Sequence, residues 1–276
     1  YTSVAGDLKE ELAALSKAAE GKGFVAYNGY QIAEKDNGVG FDAYLLGTYR
    51  RSLGAYAKKN AFTHLQAVNL AMDLCAALAS CREAGFLYVD LKPENIFLTG
   101  EQYAIGDVGF LPLDALAYAS FPDKYLSPYS APEVRDLFSS VNATVDTYAL
   151  GMILYGIYNG GRLPFEDETD PEAALARRLK DEPIPAPVYA DYEMAEIILK
   201  AIAFDPKERW KTPEEMGQAL MGYMQRNEVN DSIIAPPIVS DLPLDPAELA
   251  DSEDASAPDE ADGNAPADNA DADPFS

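Results

Sequence analysis

Eleven consecutive residues, Tyr148 to Tyr158, carry no charge. The run is too short to span a bilayer, so it reads as a helix buried on every side. Such a helix needs a large surrounding core. A chain of 276 residues with 48% apolar content can supply one, as a single domain of ordinary size plus a tail. The elements around the run follow two periods. Asp7–Glu20 reads as a helix with Asp7 as its cap and Leu8, Leu12 and Leu15 on one face. Phe24–Ala33 and Phe41–Leu46 read as strands joined by a Lys-Asp-Asn-Gly turn. Ser52–Lys59 and Thr63–Glu83 read as helices, short strands flank Asp90 and Asp107, and the pattern from Pro132 onward is mostly helical. Strands early and helices late predict an α+β fold of two unequal parts.

Charge narrows the class of partner. The formal net charge is -25, and 14 of the 46 acidic residues follow Arg226, where no Lys or Arg occurs. The remainder holds 32 acids against 21 bases. A body of that sign repels nucleic acid and anionic membrane. Residues 227–276, rich in Asp, Ala and Pro, bury too little apolar surface to offset their ordering entropy and are expected to be a disordered acidic tail. Cys75 and Cys81 lie six apart on one predicted helix, on different faces, which suits reduced core thiols. With no secretory signal at the start, the reading is a cytoplasmic protein. The lone His64, near a helix start and far from any partner cluster, reads as a surface or capping residue.

The chemistry concentrates in Tyr88-Val89-Asp90-Leu91-Lys92-Pro93-Glu94-Asn95, followed by the apolar Ile96-Phe97-Leu98. Phosphoryl transfer needs a carboxylate at the acceptor hydroxyl, a cation near the moving phosphate and oxygen ligands for magnesium. One loop offers Asp, Lys at +2 and Asn at +5. Another acid follows in Gly106-Asp107-Val108-Gly109-Phe110, where glycines permit a sharp turn. Ala131-Pro132-Glu133, Asp146-Thr147-Tyr148-Ala149-Leu150-Gly151 and Asp205-Pro206-Lys207-Glu208-Arg209-Trp210 complete an ordered series. This series resembles the eukaryotic-type protein kinase family over residues 7–226. The resemblance implies Asp90 as catalytic base, Lys92 as a phosphate contact, and Asn95 and Asp107 as Mg²⁺ ligands. It further implies a buried Glu133–Arg209 ion pair, and an Asp146 that holds the catalytic-loop backbone. Lysine two residues after the base is the Ser/Thr form, so the implied reaction moves the γ-phosphate of ATP to Ser or Thr of a protein substrate.

The chain also departs from the family. Tyr88-Val89 stands for His-Arg, so an activation-segment phosphate loses its usual receiver. Val108 stands for Phe, and Ser127 sits one position from the threonine that touches the base. Gly38-Val39-Gly40 with Lys58 imitates a glycine loop and strand lysine. The 31 residues from Lys58 to Asp90 leave no room for the intervening elements, so Gly38 and Gly40 read as hairpin residues. The resemblance then implies Glu11 of the first helix as the partner of the family's strand lysine (Glu10 is second), and Leu46, Gly47 and Thr48 as the hinge that takes adenine. Residues 1–47 are then a partial small lobe and 48–226 the helical large lobe. Residue 1 is Tyr, and the glycine loop and lysine are expected before it, so this chain alone is expected to be inactive. The alternative is a pseudokinase that serves as a binding scaffold.

Overall fold

A computed structural model describes residues 23–25, 27–34, 41–47, 50–106, 111–112, 126–135 and 141–235. The chain divides into units 1–239 and 240–276, and every described residue belongs to the first. The Asp7–Glu20 helix, Glu11 and the acidic tail beyond 235 lie outside the described residues.

Strands β1 (Tyr27–Glu34) and β2 (Phe41–Gly47) form the predicted antiparallel hairpin, with Glu34 opposite Phe41 and Tyr27 opposite Gly47. The expected strand Phe24–Ala33 is split. Phe24 bridges to Ile105, and Val25 N–H donates to Ile105 O at 2.9 Å. Helix α1 (Leu53–Lys59) follows, with Ser52 as its cap, so Lys58 is helical and the imitation strand lysine is excluded by geometry as well as spacing.

Strand β3 (Phe62–Thr63) leads into α2 (His64–Glu83). The start of α2 has partners for all four N–H groups that a helix normally leaves open. Thr63 and Gln66 form a reciprocal capping box, while His64 N–H and Leu65 N–H donate to Ser232 O and Asn230 O, each at 2.9 Å. Those acceptors belong to a segment that composition assigns to the tail. Residues 227–235 are instead laid on the body, and β8 (Ile233–Ala235) pairs antiparallel with β3. Val229 and Ile234 pack against the core. Ordered structure therefore runs past the expected boundary at 226.

The charge-free run forms the body of α3 (Thr144–Tyr158), every residue of which is buried. Around it stand α2, α5 (Tyr192–Ala201) and α6 (Pro213–Arg226), with β8 alongside; α4 (Pro171–Arg178) precedes α5. A Cβ on Gly151 would lie 2.6 Å from Ala201 Cβ, so only glycine lets α3 and α5 approach this closely. Cys75 and Cys81 are buried free thiols, and burial pushes the Cys75 thiol up to about 12. Among the described residues no helix is long and apolar enough to cross a membrane.

His64 departs from its sequence reading. Thr63 supplies the cap, and the half-buried His64 ring stacks on Tyr223 at 5.7 Å between centroids. Its Nε2 meets the Tyr223 hydroxyl at 3.1 Å, and that hydroxyl donates to Asp191 at 2.5 Å.

Candidate active site

The candidate site is a loop between two short antiparallel pairs. Strand β4 (Phe86–Leu87) precedes it and pairs with β7 (Leu111–Pro112). Strands β5 (Ile96–Thr99) and β6 (Gln102–Ile105) follow it, with Ile96 opposite Ile105. The two pairs fix both ends of residues 88–95.

Inside the loop, Val89 has φ 62, a left-handed conformation that β-branched residues rarely adopt. Asp90 N–H then reaches back to Tyr88 O at 2.7 Å. Asp146, in the first turn of α3, holds this bend. Its two carboxylate oxygens accept Tyr88 N–H at 3.1 Å and Val89 N–H at 2.8 Å. Asp146 is 2% exposed; burial pushes its carboxyl up to about 6, against the opposing pull of those two N–H bonds. A strained residue secured by a buried acid is local energy spent on aiming a side chain.

The side chain so aimed is Asp90, 8% exposed. Lys92 Nζ meets its Oδ1 at 3.0 Å and its Oδ2 at 2.9 Å. Asn95 Nδ2 donates to Asp90 O at 2.9 Å and to Asp90 Oδ2 at 3.0 Å. Pro93 opens a single 3₁₀ turn, Pro93–Asn95, which folds Asn95 back under Asp90. The structure thus brings Asp90, Lys92 and Asn95 into direct contact. Ser127, by contrast, turns inward on its own bend. Its hydroxyl accepts Tyr129 N–H at 3.2 Å and lies 3.3 Å from Ser130 Oγ, while Asp90 has Lys92 and Asn95 as partners.

Asp107 and Thr48 lie outside the described residues, and Leu46 and Gly47 are described only as the end of β2. The chain neighbour of Asp107 is well fixed, however. Gly106 N–H donates to Asn95 O at 2.9 Å, and the Tyr88 hydroxyl donates to Gly106 O. A Cβ on Gly106 would stand 2.6 Å from Phe97 Cε2, so the close seat of this residue requires glycine. The Tyr88–Gly106 link is a contact that the sequence reading missed; a tyrosine directly before the strained residue was its only sign.

A magnesium ion suits the donors present. Asn95 spends its N–H groups on Asp90, and among the described residues its Oδ1 has no hydrogen-bond partner; Mg²⁺ takes one or two protein oxygens together with water and phosphate oxygens. Among the described residues no group of three or more His, Cys, Asp or Glu is placed to hold a metal alone.

Behind the loop, Glu133 and Arg209 form the expected pair. It is bidentate, Nη1 to Oε1 at 2.7 Å and Nη2 to Oε2 at 2.9 Å, with Arg209 1% exposed. Arg209 also donates to Ala203 O, Phe204 O and Thr144 O, and lies 4.6 Å above the Tyr148 ring.

A family model of the protein kinase domain matches residues 39–221. The chain belongs to the protein kinase family. It is 31% identical over 166 residues to the serine/threonine-protein kinase Pkn1 of Myxococcus xanthus, covering 55% of this chain and 23% of that protein. To a probable serine/threonine-protein kinase PknB of Corynebacterium glutamicum it is 28% identical over 202 residues, 67% of this chain and 30% of that one. To serine/threonine-protein kinase PknB of Mycobacterium tuberculosis it is 29% identical over 167 residues, 56% and 25% respectively. The chain spans about a quarter of the length of these relatives. The kinase match takes in the whole run from Tyr88 to Arg209, so the Asp90 loop, its Asp146 support and the Glu133–Arg209 pair all fall inside it.

Proposed function

We propose that the full-length protein, with this lobe as its catalytic part, transfers the γ-phosphate of ATP to Ser or Thr hydroxyls of a protein substrate. The observation that carries the reading is the Asp90–Lys92–Asn95 contact on a loop strained at Val89 and secured by Asp146. In this role Asp90 orients the acceptor hydroxyl and takes its proton. Lys92, now on the Asp90 carboxylate, moves to the phosphate as it arrives and balances its charge. Asn95 offers its Oδ1 to magnesium, and Asp107, one residue from the seated Gly106, offers a carboxylate. Bound Mg²⁺ would supply positive charge against the phosphate oxygens. The backbone at Leu46, Gly47 and Thr48 would receive adenine, and Glu11 would hold the lysine that fixes the phosphates.

The test is phosphate transfer from Mg-ATP to a Ser/Thr-bearing protein by the full-length protein, with Asp90→Asn as control. The expected outcome is transfer that falls by about 10²–10⁴-fold in the variant. Transfer unchanged by Asp90→Asn overturns the assignment. Absence of transfer from both, with nucleotide still bound, favours the scaffold reading, to which Val89 in place of a phosphate-receiving arginine also points.

A further inference from the structure

The end of α5, the loop after α4 and the turn at Pro132 line a cavity of about 290 Å³. That is at the lower edge of the roughly 300–1,000 Å³ that small-molecule pockets span, so it admits one large side chain and little more. The wall within a visitor's reach is apolar. Ile184, Leu199 and Ala203 are partly buried, and Phe204 is 39% exposed. This wall is also stiff. Arg209, locked to Glu133, donates to Ala203 O at 2.6 Å and to Phe204 O at 2.9 Å, so the backbone that carries the exposed ring is pinned. A preformed apolar seat spares a docking partner the cost of ordering it.

Charge selects the occupant. Two exposed acids on the cavity, Asp181 and Glu208, have carboxylates without a partner among the described residues; a third acid, Glu182, is held by Arg177 at 2.7 Å. Asp181 has φ 58, a left-handed conformation that glycine takes without strain, so an acid there keeps its carboxylate at a conformational cost. The one base on the cavity is Arg178, which closes α4 and is 3% exposed. Its Nη1 donates to Pro164 O at 3.0 Å, while Nε and Nη2 are buried with no acceptor. Those sealed donors offer a visitor no bond, but the charge they carry opposes a second cation inside the cavity. The exposed carboxylates oppose an anion. What suits the interior is a neutral apolar side chain, and what suits the mouth is a Lys or Arg beside it. The chain's own residues after Arg226 contain no Lys or Arg and lack that match.

We propose that this cavity docks a protein partner through one large apolar side chain flanked by Lys or Arg, the apolar group against Leu199 and Phe204 and the base on Asp181 or Glu208. Such docking needs neither nucleotide nor Asp90, so it stands apart from phosphate transfer. An aromatic ring on pinned backbone, with charges only at its margin, is the arrangement in which one anchor carries most of the binding.

The probes are blocked pentapeptides Gly-X-photoleucine-X-Gly, with X as Lys, Ala or Glu; the central side chain cross-links to whatever it touches on illumination. With the full chain and no nucleotide, the Lys probe is expected to label residues 181–184 and 199–204, and to do so about ten-fold more than the Glu probe. Asp181→Asn and Glu208→Gln change exposed positions, and Asn suits the left-handed conformation, so both variants are expected to melt with wild type. Each is expected to lower labelling by the Lys probe about three-fold and to leave the Ala probe unchanged. Phe204→Ser is expected to lower both probes alike, by about ten-fold. Labelling that falls elsewhere, that does not distinguish Lys from Glu, or that the two acid variants leave unchanged overturns the proposal. Labelling seen only when the chain is ended after Val239 also overturns it, by placing the acidic tail in the cavity. A dimer in sedimentation that Phe204→Ser dissolves overturns it by placing a second copy there.

Discussion

Replacing Glu133 by Ala removes both carboxylate oxygens that Arg209 meets, at 2.7 and 2.9 Å, and leaves a guanidinium that is 1% exposed. A guanidinium cannot shed its proton to escape burial. Three carbonyls, of Ala203, Phe204 and Thr144, still accept from it, so its hydrogen bonds are partly kept while its charge is not. Breaking a buried pair on one side costs about 3–5 kcal/mol, and the surviving carbonyls place this case toward the lower end. For a domain of this size that is a fall of roughly 6–20 °C in melting temperature. The converse variant, Arg209→Ala, strands the Glu133 carboxylate in the same buried place and is expected to cost a similar amount. Urea melts of both variants measure the two losses. A loss below about 1 kcal/mol for Glu133→Ala, equal to that of Glu260→Ala in the acidic tail, would refute the reasoning.

Other variants test other joints of the fold. Asp146 is raised to about 6 in the folded state from 3.8, so its contribution is fully present below pH 3.8 and is lost as pH climbs through 6. Wild type minus Asp146→Asn should therefore lose on the order of 3 kcal/mol across that window in paired urea melts, and a flat difference would show that the carboxyl is not desolvated. Gly106→Ala forces a Cβ to 2.6 Å from Phe97 and is expected to destabilise by about 1–3 kcal/mol in urea melts. Ending the chain after Asn227 removes two N–H acceptors at the start of α2 and the apolar cover of Val229 and Ile234. A cost of about 3 kcal/mol is expected by thermal melting, against none for a chain ended after Val239.

What could be read from the sequence was what chemistry or burial fixes locally. Phosphoryl transfer dictates residue types at short spacing, so Asp90, Lys92 and Asn95 stood out on one loop, and they meet in the structure. A helix with no charged face has nowhere to go but inside, and α3 is buried at every position. Element ends were misread by one residue where a cap was counted as helix: Ser52 and Thr63 lie outside the helices whose first turns they bond.

The features that escaped share a different cause, namely partners far away in sequence. Residues 227–235 look like solvated tail because their own composition is polar, yet the donors they satisfy belong to His64 and Leu65 and the strand they join is Phe62–Thr63. His64 looked solitary because its partner, Tyr223, which itself donates to Asp191, stands on a helix that only the fold brings to it. Arg178 is the sharpest instance. In sequence it is one of two adjacent arginines at a helix end, where basic residues suit the dipole and attract no notice. Only burial distinguishes them. One turns outward to two carboxylates, while the other is sealed beside a cavity with one edge vacant, and a vacancy of that kind has no signature in any local pattern of residues.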